Sequence, residues 1–164
     1  MPRVFIAAGS NISPRTNLAL AIREMRLAFP TTRVSQAYQN SAVGFDGPDF
    51  INLVAGFQTE LSLHEVLTEL HRIEALCGRS RDAPKWQPRS MDLDMLLYGD
   101  LVCNEPALTL PRPDLIKRAY MLGPMAEIAG EIVHPTLHLT MRELWMHFDR
   151  DAHPMRAVSI AENV

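Results

Sequence analysis

The 164-residue sequence predicts an α+β fold, because its apolar spacing changes repeatedly between the strand and helix periods. Short apolar runs bounded by turn residues predict strands, and apolar residues three and four apart predict helices. Ser62 and Glu65 form a capping box that marks the start of one helix. The predicted elements run β-α-β-β-α-β, which is the order of two split βαβ units in a ferredoxin-like core.

The first strand and helix are defined by clear boundaries. Residues 4–8 are a short apolar run that ends at the turn sequence Gly9-Ser10-Asn11. A helix follows, with its apolar face at Leu18, Ile22, Met25 and Phe29, and Pro30 comes directly after it.

The next elements complete the core. Residues 33–39 predict a second strand, residues 40–49 a glycine- and proline-containing loop, and residues 50–59 a third strand. After the capping box, an apolar helical face continues until Gly78 ends the helix. A loop over 79–90 then leads into the last core strand.

The remainder predicts helical additions to the core. A proline-rich stretch near residues 106–113 precedes a helix near 119–129 and another near 140–148. We expect a single domain over residues 1–150 and a loosely held tail over 151–164.

Two acids inside an apolar strand are the most informative feature. Asp92 and Asp94 alternate with apolar residues, so both carboxylates should point to one face with their Cα atoms about 7 Å apart. Two neighbouring carboxylates are unfavourable without a positive partner, and a hard divalent cation is a natural one. The alternative is that these acids simply face solvent on a half-exposed strand.

The charge distribution favours a small anionic ligand. The net charge of −3 argues against a general nucleic-acid binder. Basic residues are nonetheless clustered, and the two clusters are Arg79, Arg81, Lys85 and Arg89, and Arg112, Lys117 and Arg118. Cations beside a carboxylate pair are typical of a site that binds metal and phosphate together.

Other classes of protein are disfavoured by composition. No apolar run reaches the ~18 residues of a membrane-spanning helix, and the N-terminus lacks a signal-peptide pattern. Cys77 and Cys103 fit neither a disulfide framework nor a zinc site, and we expect them to be buried thiols. We therefore expect a cytoplasmic protein that binds neither membrane nor nucleic acid.

Several motifs resemble one enzyme family. The run from Pro88 to Gly99, which reads PRSMDLDMLLYG, is similar to the signature of the 6-hydroxymethyl-7,8-dihydropterin pyrophosphokinases. Further similarity lies in residues 5–11, in the helix end with Glu74, Gly78, Arg79 and Arg81, and in 108–111 with Arg118 and Tyr120. The resemblance covers about residues 4–148, and that family has the ferredoxin-like fold.

The resemblance implies transfer of pyrophosphate from ATP to the hydroxymethyl group of a reduced pterin in folate biosynthesis, with AMP as the other product. It implies two Mg²⁺ ions on Asp92 and Asp94, with Arg79 and Arg89 as the further catalytic residues that clamp phosphate. It assigns the pterin to Asn40, Val43, Phe50, Asn52 and Tyr120. It assigns the nucleotide to Glu74, Arg81, Trp86, Met95, Arg112 and Arg118. Small molecules are the expected partners, and the expected state is a monomer.

The sequence also departs from the family pattern. Residues 40–43 read Asn-Ser-Ala-Val where the family usually has two prolines, which removes two fixed φ angles from the loop. The following loop, residues 45–48, is shorter than in many members. Arg112 stands where a phosphate-contacting histidine is usual, so the charge there is permanent.

These departures keep other functions open. One alternative is a catalytically weakened paralogue that binds pterin or nucleotide without turnover. Another is a ferredoxin-like nucleic-acid module, but such modules display aromatic residues on the sheet, and this chain is only 7% aromatic.

Overall fold

The protein is built on an antiparallel sheet with helices on both faces. The computed structural model describes residues 1–41, 47–78 and 91–160. Within them the strands are β1 (Arg3–Ser10), β2 (Arg33–Val34), β3 (Ala37–Asn40), β4 (Phe50–Gln58), β5 (Asp92–Tyr98), β6 (Cys103–Glu105), β7 (Leu108–Leu110) and β8 (Arg156–Val158). The α-helices are α1 (Pro14–Ala28), α2 (Leu63–Leu76), α3 (Ala119–Ala129) and α4 (Met141–Met146), and a 3-10 helix covers Pro113–Ile116.

The topology confirms the predicted ferredoxin-like core. The main sheet has the order β5-β1-β4-β3-β8, and β2 pairs with β4 as a separate short strand. All of these pairings are antiparallel. The two βαβ units are thus interleaved, which places β1 and β4 at the centre of the sheet. Strands β6 and β7 form a separate hairpin after β5.

Two apolar clusters lie on opposite faces of the sheet. Alternate residues of β1 point to opposite faces, so Val4 and Ile6 pack with α1 and α2, whereas Phe5 and Ala7 pack with α3. The predicted apolar face of α1 is buried at Leu18, Ile22 and Met25. Carboxylates on β5 can therefore face either the α1–α2 layer or the α3 side, and this choice decides where a site can form.

The second predicted strand is interrupted. Residues 33–39 were expected to be continuous, but β2 and β3 are separated at Ser35 and Gln36. The Ser35 hydroxyl accepts a hydrogen bond from the Val54 N–H at 2.9 Å, and the Gln36 N–H donates to Glu127 Oε2 at 2.8 Å. Side chains therefore take over bonds that a regular ladder would supply.

The C-terminal segment is more ordered than the predicted loose tail. Strand β8 pairs with β3, with Arg156 opposite Gln39. Arg15 Nε also donates to the Ser159 carbonyl at 3.0 Å, and Ile160 is buried. The pairing was missed because three residues are too few to establish a strand period.

Strand β5 contains an irregularity at Leu96. The register between β5 and β1 shifts so that Leu96 is an extra residue. Both Leu96 and Leu97 consequently pack in the cluster beside α3. The Leu96 carbonyl accepts the backbone N–H of Arg112 at 3.0 Å, which holds the segment after β7 against the outer edge of β5.

The remaining expectations concern cysteines and membranes. Both cysteines are free thiols; Cys77 is buried as expected, and Cys103 is only half-buried. Across residues 1–41, 47–78 and 91–160, no helix has the length and apolar character needed to span a membrane.

One prediction concerns the contact between β3 and α3. Burial, together with a 2.7 Å hydrogen bond to Glu127 and its negative charge, raises the pKa of Tyr38 to about 12. Since this pKa is higher in the folded state than the usual value of about 10, the phenol's stabilising contribution is complete below pH 10 and is lost as the pH rises toward 12.

Urea unfolding at pH 9, 10 and 11 should therefore show wild type losing stability relative to Tyr38→Phe as the pH rises. Glu127→Gln should reduce this pH dependence, because it removes the neighbouring charge. An identical pH slope in wild type and Tyr38→Phe would contradict the assignment.

Candidate active site

The candidate site begins with a row of residues that crosses four strands. In the register of the sheet, Asp92 pairs with Gly9, Gly9 with Asn52, and Asn52 with Tyr38. Paired residues of neighbouring strands point to the same face. Strands lie about 4.8 Å apart, so the backbones of Asp92 and Asn52 are separated by roughly 10 Å. The row thus places an acid and an amide on the same face, with Gly9 between them.

Asp94 extends this row along β5. It lies two residues after Asp92 and opposite Ala7, a residue on the α3 side of the sheet. Leu93, between the two acids, is buried on the α1–α2 side, while both acids are half-buried. The structure thus brings both carboxylates to one face, as the alternation in the sequence predicted.

The carboxylate pair fits a magnesium site that is completed by a substrate. Mg²⁺ is usually bound through one or two carboxylates together with substrate phosphates and water. Among the described residues no group of three or more His, Cys, Asp or Glu side chains converges on one point. A cation on Asp92 and Asp94 would have room in its coordination sphere for substrate oxygens and water.

Glu74 holds the strand that carries the acids. It lies near the end of α2, is 7% exposed, and its Oε2 accepts the backbone N–H of Leu93 at 2.8 Å. Within the described residues β5 lies at the edge of the sheet, so no described strand is placed to receive this N–H. Glu74 thereby fixes the backbone between Asp92 and Asp94, a role that the sequence did not indicate.

An asparagine pair forms the other half of the row. Asn52 is 6% exposed and donates through Nδ2 to Asn40 Oδ1 at 2.5 Å. The Asn52 Oδ1 occupies the position that a side chain on Gly9 would need, and the Phe50 ring lies 3.7 Å from that position. Glycine is therefore required at residue 9 to accommodate the amide. Phe50 itself is half-buried.

Tyr120 lies at the start of α3, close to the carboxylates. Burial raises the pKa of Tyr120, and the negative charges of Asp114, Asp94 and Asp92 act in the same direction against the opposing charge of Arg118. The phenol therefore lies within electrostatic reach of both acids on β5. Tyr120 also packs against the apolar cluster beside α3, so it combines core packing with a place at the site.

Arg112 contacts the acid pair directly. Its Nη2 lies 3.5 Å from Asp94 Oδ1. Its Nε is buried and lacks a hydrogen-bond partner within the described part of the chain. A buried donor without a partner costs about 1–3 kcal/mol, so this guanidinium is not fully satisfied where it lies. A cleft of ≈ 260 Å³ opens beside it, lined by Thr109 and His134 among others.

Met95 is not brought to this face. It is 2% exposed and packs in the α1–α2 cluster, on the opposite side of the sheet from Asp94. Its predicted contact with nucleotide is therefore not supported by the position of its side chain. Five further predicted site residues lie outside the described part of the chain, and they are Val43, Arg79, Arg81, Trp86 and Arg89.

Sequence reasoning also missed Asn11. Its side chain is 3% exposed and donates through Nδ2 to the Pro48 carbonyl at 3.1 Å, linking the end of β1 to the segment before β4. The sequence Gly9-Ser10-Asn11 was interpreted only as a turn. A polar side chain directly after a buried strand is the signal that would have indicated a tether.

The comparisons with known proteins agree with the geometry. The family model described as 7,8-dihydro-6-hydroxymethylpterin-pyrophosphokinase (HPPK) matches residues 5–130. The 2-amino-4-hydroxy-6-hydroxymethyldihydropteridine pyrophosphokinase of Aquifex aeolicus is 32% identical over 145 residues, which are 87% of this chain and 90% of that protein. The protein of the same name from Haemophilus influenzae is 38% identical over 139 residues, covering 82% and 86% of the two chains.

A solved structure shares the fold. Plasmodium falciparum HPPK-DHPS wild type superimposes on 99% of this chain with a TM-score of 0.67 at 12% identity. This chain spans only 47% of that one, so the likeness concerns the fold of one part of the larger chain.

The Glu74–Leu93 bond generates a stability prediction. Glu74→Ala should lower the free energy of unfolding by about 1–3 kcal/mol, because the Leu93 N–H loses its acceptor. Glu74→Gln keeps an accepting oxygen and should lose less. Amide hydrogen exchange at Leu93 should be fast in the alanine variant and slow in the glutamine variant. Equal exchange rates in the two variants would exclude this hydrogen bond.

The Gly9–Asn52 contact generates a second prediction, with Gly56 as a matched control. Gly9→Ala should displace the Asn52 side chain and break its bond to Asn40, at a cost of about 1 kcal/mol. An added Cβ at Gly56 would instead meet the Phe5 ring at 2.7 Å, so Gly56→Ala should cost about 1–3 kcal/mol by overpacking. Only Gly9→Ala should shift the NMR signals of the Asn52 side-chain amide. An unchanged Asn52 signal would show that the amide does not lie over Gly9.

Proposed function

The chain belongs to the 7,8-dihydro-6-hydroxymethylpterin-pyrophosphokinase family, and from this premise we propose how its residues transfer pyrophosphate from ATP to 6-hydroxymethyl-7,8-dihydropterin. The products are AMP and the pyrophosphorylated pterin of folate biosynthesis. The observation that carries the proposal is the shared face of the sheet, where Asp92, Asp94 and Asn52 stand with Tyr120 beside them.

Asp92 and Asp94 hold two Mg²⁺ ions in this proposal. Bound there, the ions neutralise the negative charge of the transferred phosphates. The carboxylates themselves provide hard oxygen ligands whose direction is fixed by pairing with β1 and by the bond between Glu74 and Leu93. Chain geometry thus sets the positions of both ligands before the substrates arrive.

Arginine side chains hold the triphosphate. Guanidinium groups pair bidentately with phosphate oxygens and carry their charge at every working pH. We assign this role to Arg79 and Arg89 in the segment before β5, and to Arg112 and Arg118 in the segment after β7. Arg112 is held at the edge of β5 by the hydrogen bond from its backbone N–H to the Leu96 carbonyl, whereas Arg79 and Arg89 lie outside the described residues.

The pterin binds over Gly9 and Asn52. The Asn52 amide offers a donor and an acceptor to the polar edge of the ring, and Asn40 fixes its orientation. Phe50 and Tyr120 are the stacking platforms, which suits their half-buried rings. The loop after Asn40, including Val43, completes the ring edge. Arg81 and Trp86, which lie outside the described residues, are assigned to the nucleotide in this proposal.

Glu74 is better described as a positioning residue than as a nucleotide ligand. Its carboxylate is buried and binds the backbone between the two acids. We therefore assign its effect on the nucleotide to the placement of Asp92 and Asp94.

The proposed roles of the acids are tested by measuring AMP. Wild type with MgATP and 6-hydroxymethyl-7,8-dihydropterin should release AMP, and chelation of the divalent ion should stop the release. Asp92→Asn and Asp94→Asn should each lower kcat by roughly 100-fold or more, because a charged metal ligand is lost. Asp100→Asn removes an exposed acid just after the same strand and should leave kcat unchanged.

Near-normal turnover in Asp92→Asn or Asp94→Asn would show that the substituted acid is not a metal ligand. Binding of both substrates by wild type without AMP release would instead identify a catalytically weakened paralogue. Calorimetric titration with each substrate distinguishes this result from a protein that fails to bind.

A further inference from the structure

Arg112 is held beside the acid pair by its main chain. Its backbone N–H donates to the Leu96 carbonyl at 3.0 Å, so its Cα lies at the outer edge of β5. From there its guanidinium reaches Asp94, and the two side chains are 31% and 22% exposed. A positive charge therefore already stands beside one of the two carboxylates.

This ion pair is loosely held. The separation of 3.5 Å between Arg112 Nη2 and Asp94 Oδ1 exceeds the 2.7–3.2 Å of a good N–H···O bond. The buried Nε lacks a partner within the described residues. Across the described part of the chain, charge attraction to Asp94 rather than a complete set of hydrogen bonds holds this side chain. Arg112 also lines a cleft of ≈ 260 Å³.

We propose that Arg112 is a counter-cation of Asp94 before the substrates bind, and that a divalent cation arriving at the acid pair displaces its guanidinium toward a phosphate oxygen of the nucleotide. The inference rests on the proposed function, because it takes Asp92 and Asp94 as metal ligands. It deepens that function by giving Arg112 opposite effects on the binding of metal and on the binding of nucleotide. Arg112 competes with the metal when nucleotide is absent, and it holds the nucleotide once the metal is bound.

The first test measures Mn²⁺ binding without nucleotide. Electron paramagnetic resonance counts free Mn²⁺ in solutions of the full chain. Arg112→Ala should bind Mn²⁺ about tenfold more tightly than wild type, because the competing charge is gone. Lys117→Ala is the matched control, since it removes the same charge from an exposed side chain in the same segment. Its Mn²⁺ affinity should change less than twofold.

The second test measures nucleotide binding with saturating Mg²⁺. The probe is α,β-methylene-ATP, in which the bond that the reaction breaks is replaced by an inert linkage. Arg112→Ala should bind this probe about tenfold more weakly than Lys117→Ala. Tighter Mn²⁺ binding together with weaker nucleotide binding in one variant is the result that supports the inference.

Other outcomes overturn it. Unchanged or weaker Mn²⁺ binding in Arg112→Ala would show that the guanidinium does not compete with metal. Tighter Mn²⁺ binding with unchanged nucleotide binding would show that the displaced side chain does not reach phosphate. Neither measurement requires turnover, so failure of this inference is separable from failure of wild type to release AMP.

Discussion

The site depends on how one edge strand is held. Within residues 1–41, 47–78 and 91–160, strand β5 pairs with β1 alone, and two of its outer polar groups are bound by elements other than strands. The Glu74 carboxylate accepts the Leu93 N–H, and the Leu96 carbonyl accepts the Arg112 N–H. Helix α2 and the segment after β7 therefore meet on the strand that carries Asp92 and Asp94. Pairing with β1 sets the direction of the two acids, and these two bonds hold the outer side of the same strand in place.

The negative charges of Asp92 and Asp94 are partly balanced by a guanidinium placed beside them. Two carboxylates on the same face repel each other, which raises the free energy of ionising both of them. A nearby guanidinium lowers that free energy. Arg112 supplies that charge at Asp94 without complete hydrogen bonding. In the proposal above, a divalent ion takes the place of this guanidinium at Asp94. The same negative charges act on the Tyr120 phenol, so the aromatic and ionic parts of the site are energetically coupled.

Local patterns predicted what depends on local geometry. The β-α-β-β-α-β order and the shared face of Asp92 and Asp94 follow from side-chain periods of 3.6 and 2, and both are confirmed. Contacts between residues distant in sequence were not predictable. Leu93 and Glu74 are 19 positions apart, and nothing in either segment identifies the other as its partner. The apolar period also could not predict the interruption at Ser35, because there the Ser35 hydroxyl, rather than a backbone carbonyl, accepts the Val54 N–H.

The short strand β8 also affects the tendency of the protein to aggregate. An uncovered β3 would present the N–H and C=O groups of Ala37–Asn40 to solvent, and such an edge recruits strands from other molecules. Residues 156–158 pair with Ala37, Tyr38 and Gln39 from within the chain. The sheet then ends in β8, an edge strand of only three residues, and a short edge offers few free groups to another molecule. Any redesign or truncation of this end should therefore preserve residues 156–160, because removing them exposes a template for aggregation.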